Sequence, residues 1–325
     1  MMRRALTTSA VLLLVAGLAA GALARQGGWR PERHGQPGKD LNAVHFVDSK
    51  RGWVAGDGGL VLRTEDAGRS WIRQTIAAKE SINDIYFRDR EDGYLLSGNQ
   101  ILVTEDSGAT WRVAGRFPAS MFGNAEPELY SVRFTSKKKG WVVGSLSRRD
   151  SVVDSLVLST PDAGASWNRQ SVPTRDELIH LDFDGEKRGW IVGAGGTILH
   201  TRDGGETWAR QESKTKATLY HVDFEDSKRG WAVGERGTIL RTADGGETWS
   251  AVAPPVRSTF LSVKFADDDH GWIVGRGGVI LRSEDGGQTW VRQESNTRQN
   301  IYALFFDKKL GWAVGGDGTV LRYER

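Results

Sequence analysis

The chain has no cysteine, and only eight prolines and three methionines in 325 residues. The missing cysteine removes disulfides, thiolate nucleophiles and Cys-ligated zinc or iron from consideration. Glycine reaches 41, but without proline or a Gly-X-Y period this load means many tight turns, not collagen or low complexity. A dominant charge is lacking too. The formal net charge is +3, and setting aside Arg3 and Arg4 leaves +1, so bulk electrostatics gives no reason to expect nucleic-acid binding. Apolar residues make up 38% and charged residues 26%, which suits a globular protein and neither a membrane bundle nor a disordered chain.

The N-terminus has the layout of a secretory signal. Arg3 and Arg4 precede an apolar run, Ala10–Ala20, and Ala22-Leu23-Ala24 offers small residues for cleavage. The reading is a signal peptide over 1–24, a single domain over 25–325 and an extracytoplasmic location. The alternative is an uncleaved anchor over Ala5–Ala24. A secreted chain without cysteine is then stabilised by its core alone.

What the sequence does hold is a repeat near 41 residues, the signature of a modular architecture. Ser/Thr-x-Asp-x-Gly-x-Ser/Thr-Trp occurs six times, with its aspartates at Asp66, Asp106, Asp162, Asp203, Asp244 and Asp285. Gly-Trp-x-x-Gly places tryptophan at 53, 141, 190, 231, 272 and 312, with Tyr94 in the remaining slot. A Val/Ile/Leu-x-Phe segment precedes each, ending at Phe46, Phe87, Phe134, Phe183, Phe224, Phe265 and Phe306. Each unit reads as four short strands, a to d. The fold class is all-β, a seven-bladed β-propeller. The last unit stops without a strand d, and Gly28-Trp29-Arg30 supplies the missing Trp, so the last blade is expected to be closed by the N-terminal strand. All 13 tryptophans are then structural. The motif aspartates are expected to accept turn N–H groups on the outside of the ring and not to act in catalysis.

Function on a repeat scaffold sits where the repeat is broken. Two insertions, roughly 113–128 and 145–155, both belong to blade 3 and by strand order fall on the face opposite the Asp motifs. They carry Arg116, Phe117, Met121, Phe122, Arg148 and Arg149, and aromatic and arginine side chains on a protruding loop are what protein interfaces favour. The alternative is that the loop folds its aromatics onto blade 3. Loops on the same face from blades 4 to 7 add Lys214, Lys216, Arg236, Arg257, Arg276 and Arg298, with Glu235 the main opposing charge; blades 1 and 2 add Asp57 and Glu80. This basic sector is expected to draw an acidic protein partner or anionic lipid at a peripheral membrane surface, or to be solvated loop charge. His180-x-Asp182 and His221-x-Asp223 share a strand face near the central channel. They could hold a divalent metal or pair as acid and base, but polar channel lining is the simpler reading, so neither metal nor cofactor is assigned.

The string Arg229-Gly-Trp-Ala-Val-Gly, followed by Gly237-Thr-Ile-Leu-Arg-Thr-Ala-Asp-Gly-Gly-Glu-Thr-Trp249, resembles the Asp-box propellers of the photosystem II stability/assembly factor family. The likeness extends over essentially all of 25–325. It implies a non-enzymatic chaperone of the thylakoid lumen or its bacterial equivalent, and the chain is expected to be a monomer. Such a chaperone helps a reaction-centre subunit assemble through an arginine-bearing face. The lipobox cysteine of cyanobacterial members is absent. The rival class is a secreted sialidase-like or other glycoside hydrolase, which shares the Asp box. Arg116-Phe117-Pro118 is the only near match to a sialidase start, and it lies inside the insertion, after the second Asp box, where that motif does not belong.

Overall fold

The structure, a computed structural model, describes residues 27–33, 35–307 and 310–324. The signal segment expected over 1–24 lies outside the described residues. Seven four-stranded antiparallel sheets follow one another along the chain. Blade 1 shows the plan, with strand a at Leu41–Phe46, b at Gly52–Gly56, c at Leu60–Thr64 and d at Ile72–Gln74. The a strands of neighbouring blades pack together around a central channel, and those of blades 7 and 1 close the circuit. The strand patterns follow from this placement. Strand b is buried along its whole length between adjacent blades, hence Gly-Trp-Val-Ala-Gly, whereas strand d forms the rim and is polar and largely exposed.

The repeat phenylalanines clamp one blade to the next. Phe87 lies face-on against Trp53 of the preceding blade with centroids 3.5 Å apart, and Phe265 lies on Trp231 at 3.5 Å. Each also meets the strand d tryptophan of its own blade edge-on, at 5.9 and 5.8 Å. Such pairs contribute roughly 0.5–1.5 kcal/mol each beyond the area they bury. Tyr94 keeps the arrangement at 4.0 Å from Phe134, and its hydroxyl donates to the Ala163 carbonyl much as Trp53 Nε1 donates to that of Ser107. Gly205 shows why the Asp motif ends its turn with glycine: φ is +86° there, and a Cβ would lie 2.3 Å from Trp141 Nε1 of the previous blade.

The ring closes as the borrowed strand requires. Gly28–Arg33 pairs antiparallel with Thr319–Glu324, with Trp29 opposite Tyr323. Trp29 is buried, meets Phe306 edge-on at 5.6 Å and donates from Nε1 to Gln293 Oε1 at 3.2 Å. Trp249 makes the same bond to Gln211 at 3.2 Å, which puts Trp29 in the ordinary strand d role.

The Asp motifs are turns. Asp203 Oδ1 accepts from the Thr207 N–H at 2.9 Å and the Thr201 hydroxyl at 2.7 Å, and Oδ2 accepts the Thr207 hydroxyl at 2.5 Å. The Thr207 hydroxyl and N–H lower its carboxyl to about 2. A depressed carboxyl stabilises the fold above its ordinary pKa, so this contribution is lost only as pH falls from about 4 towards 2. The carboxylate is exposed and water replaces part of what it accepts. Asp203→Ala is therefore expected to cost about 1 kcal/mol in thermal unfolding, without altering events on the opposite face.

Candidate functional site

The two insertions form one protrusion. The first leaves blade 2 at strand d (Arg112–Arg116), makes a short 3-10 turn (Ala119–Phe122) and enters blade 3 through Gly123 in the left-handed region. The second is not a loop: it lengthens strands b (Gly140–Arg148) and c (Ser151–Thr160) of blade 3 into a tall hairpin. Its turn residues, Arg149 and Asp150, have φ of +49° and +61°, the left-handed pair that suits the twist of a two-residue hairpin. Arg148 donates to the Gly123 carbonyl at 2.8 Å, which ties hairpin and 3-10 turn together. The Arg169 guanidinium sits 5.7 Å over the Phe122 ring while bonded to Asp154 at 2.8 Å.

Phe117 corrects the expectation of an exposed anchor. Its N–H donates to the Asn99 carbonyl at 3.0 Å, and its ring is buried with Leu96, Ile101, Leu129 and Leu146. The taller blade 3 supplies the apolar wall that covers it. Phe122 is half-buried beneath Arg169. What the protrusion offers to solvent is Met121 (62% exposed), Val152 (40%) and Val153 (39%), flanked by exposed Arg116, Arg148 and Arg149.

Lys216, Arg236, Arg257, Arg276 and Arg298 are all exposed in the b–c turns and inter-blade connections of blades 4 to 7. Arg236 has φ +59° at a turn position that glycine holds in blades 1, 4 and 6. A left-handed arginine there is mildly strained, and its strain places a charge at the tip of the turn. Together with the three arginines of the protrusion these make eight cations, and among the described residues none has a carboxylate within 4.0 Å.

The channel uses its polar groups to stitch blades together. Asp182 and Asp223 accept from the N–H groups of Phe224 and Phe265 in the next blade, at 2.7 and 2.8 Å. Asp223 also pairs with Lys264 at 2.5 Å. His180 stacks on His221 with centroids 3.7 Å apart and takes a hydrogen bond with Arg133 at 2.9 Å, while Arg133 pairs with Asp84 at 2.8 Å. Burial, reinforced by the nearby Arg133 guanidinium, holds both imidazoles well below their usual range, so they are neutral near pH 7. Among the described residues no group of three or more His, Asp or Glu is placed to hold a metal ion.

A feature missed in the sequence lies at the channel mouth on the insertion face. Every strand a carries a bulge four residues before its phenylalanine, and the extra residue faces the mouth. Asn42, Asn83, Tyr130, Tyr220 and Tyr302 stand at such positions around a cavity of about 260 Å³. The signal was present in the register, because the strict two-residue alternation inward from each phenylalanine fails at that position.

Comparison with known proteins places this scaffold. The family described as photosynthesis system II assembly factor YCF48 matches residues 122–216, 210–295 and 253–324, together more than half of the chain. The chain belongs to the YCF48 family. The photosystem II stability/assembly factor HCF136 of Oryza sativa subsp. japonica is 32% identical over 117 residues, 34% of this chain and 25% of that protein. The photosystem II assembly lipoprotein Ycf48 of Synechococcus sp. (strain CC9902) is 36% identical over 72 residues, 21% of this chain and 19% of that one. The aligned stretches thus span a quarter or less of these YCF48-family relatives. A solved YCF48 bound to D1 peptide superimposes with TM-score 0.74 at 21% identity, covering 91% of this chain and 97% of that one. The same propeller shape recurs in the Niastella koreensis GH74 enzyme, with TM-score 0.69 at 12% identity, covering 90% of this chain and 53% of that one. That likeness is one of fold alone.

Proposed function

We propose that this YCF48-family protein is a non-enzymatic extracytoplasmic assembly factor that holds a protein client, a subunit of photosystem II or of another membrane complex, on the face bearing the blade 3 protrusion and the basic loops. The observation that carries the reading is the coincidence of three features on that one face: the joined insertions, the exposed Met121, Val152 and Val153, and eight cations without carboxylate partners. Apolar groups at the tip supply buried contact area, and unpaired cations around them steer an acidic segment and set its register. The opposite face offers six Asp motifs whose carboxylates are already occupied within their own turns.

The test is fluorescence anisotropy with labelled D1 peptide, the ligand of the solved relative. Reversing Arg148, Arg149, Arg236 and Arg276 to glutamate is expected to weaken binding by at least about tenfold at low salt, and by less at moderate salt where steering is screened. Met121→Ala with Phe122→Ala is expected to weaken it by a factor that salt leaves unchanged. Equal losses from charge reversals among the Asp motifs would move the client site to the other face.

A further inference from the structure

The insertion lengthens the strands of blade 3 unequally. Its added residues fall between strands b and c, whereas the Asp motif from Thr160 to Trp167 keeps its usual spacing, so nothing lengthens strand d. Strand d of blade 3 is only Asn168–Arg169, paired with Ser159 and Leu158, and the Gln170 N–H ends the pairing on the Val157 carbonyl at 2.8 Å. In blades 2, 4 and 6 strand d reaches the first residue of strand c. On its other side the hairpin is covered, because strand a (Glu126–Phe134) pairs with strand b as far as Ser147. One edge is therefore left open, the outer side of strand c over Ser151–Leu156.

Side chains stand there in place of a strand. The Ser155 carbonyl accepts from Arg169 at 3.2 Å, its N–H donates to the Asp154 carboxylate at 3.0 Å, and Asp154 and Arg169 are bonded to each other at 2.8 Å. Val153 is a bulge residue with no partner in either neighbouring register. Main-chain groups on such an edge are a template for another strand. The Asp154–Arg169 pair that caps them is exposed on both sides, and exposed pairs are held weakly. Moving Arg169 also uncovers Phe122, which lies beneath its guanidinium.

The open edge borders a groove of about 400 Å³ just beyond the end of strand d, with Val172, Thr174 and Arg175 as its far wall. Arg175 is exposed, as are Arg148 and Arg149 at the hairpin tip, and none of the three has a carboxylate within 4.0 Å among the described residues.

We propose that the protein client docks by adding an extended, acidic segment as an extra strand on this edge of blade 3, displacing the Asp154–Arg169 pair and setting a carboxylate against Arg175. Main-chain groups without a strand call for another main chain, and the unpaired arginines around them select its charge. The inference rests on the client reading and adds the mode of contact.

The test uses the full chain and D1 peptide in three forms, unmodified and N-methylated at alternate amides in either of the two phases. A strand pairs through every second residue, so one phase is expected to weaken binding at least about tenfold and the other little. Amide-resolved hydrogen exchange is expected to slow at Ser155 when the unmodified peptide is bound. Asp154→Ala with Arg169→Ala, which removes the cap as a neutral pair, is expected to tighten binding severalfold, and Arg175→Glu to weaken it about tenfold at low salt. Both methylated phases binding alike, unchanged exchange at Ser155 or weaker binding without the cap would overturn strand addition and leave the client reading standing. Failure of the unmodified peptide to bind the parent chain would overturn both.

Discussion

Trp29→Ala is expected to cost about 3–5 kcal/mol, the range for emptying a buried aromatic site, and to lower the melting temperature by on the order of 10 °C. The side chain is buried, packs edge-on to Phe306 and Tyr323 at 5.6 and 5.4 Å, and donates to Gln293. Deleting 27–33 is expected to do more, because it also leaves Thr319–Glu324 as an unpaired edge and opens the seam that holds the two ends of the ring. Arg30→Ala is the matched control: its ion pair with Glu324, at 3.2 Å, is exposed on the arginine side, and such pairs contribute about 0–1 kcal/mol. Thermal unfolding of the three variants decides the matter. A Trp29→Ala protein as stable as the parent would mean that the last blade does not depend on the borrowed strand.

Phe117→Ala carries the second large expectation, again about 3–5 kcal/mol, because the ring sits in the cluster formed by Tyr94, Leu96, Leu129 and Leu146 between blades 2 and 3. Met121→Ala, four residues away in sequence, is expected to leave stability within about 0.5 kcal/mol, since the side chain is 62% exposed. Urea unfolding separates them: the midpoint should fall for Phe117→Ala and hold for Met121→Ala. The reverse order would place Phe117 at the surface and restore it as a partner contact. Weak client capture by Phe117→Ala at physiological temperature is thus expected to follow the unfolded fraction and to recover on cooling towards the temperature of maximum stability.

The architecture was legible because the repeat states the same local physics many times. A Gly before each strand b Trp, a Phe that the previous blade's Trp covers and an Asp that closes a turn leave few other ways to bury so many aromatics. Even the closing strand could be read, since Trp29 was the one tryptophan without a unit and the last unit was the one without a strand d. The face of the insertions was legible as well, because up-and-down strand order puts b–c turns and inter-blade connections at the same end.

By itself, then, the sequence determined the blades, their number and the end of the ring at which the repeat is broken, because these depend on local turn chemistry and on periodic apolar pairing. Only the tertiary structure decided which of the inserted side chains are free. Phe117 and Met121 are both apolar residues of one insertion, and what separates them is the wall that a taller blade 3 happens to raise beside one and not the other. The hydrogen bonds that fix the tyrosines at the channel mouth were likewise beyond the sequence: Asp40 and Tyr302 are 262 positions apart, and Glu177 and Tyr130 are 47 apart. Their meeting depends on ring closure and on a bulge in each inner strand, neither of which changes the spacing of the motifs that reveal the fold.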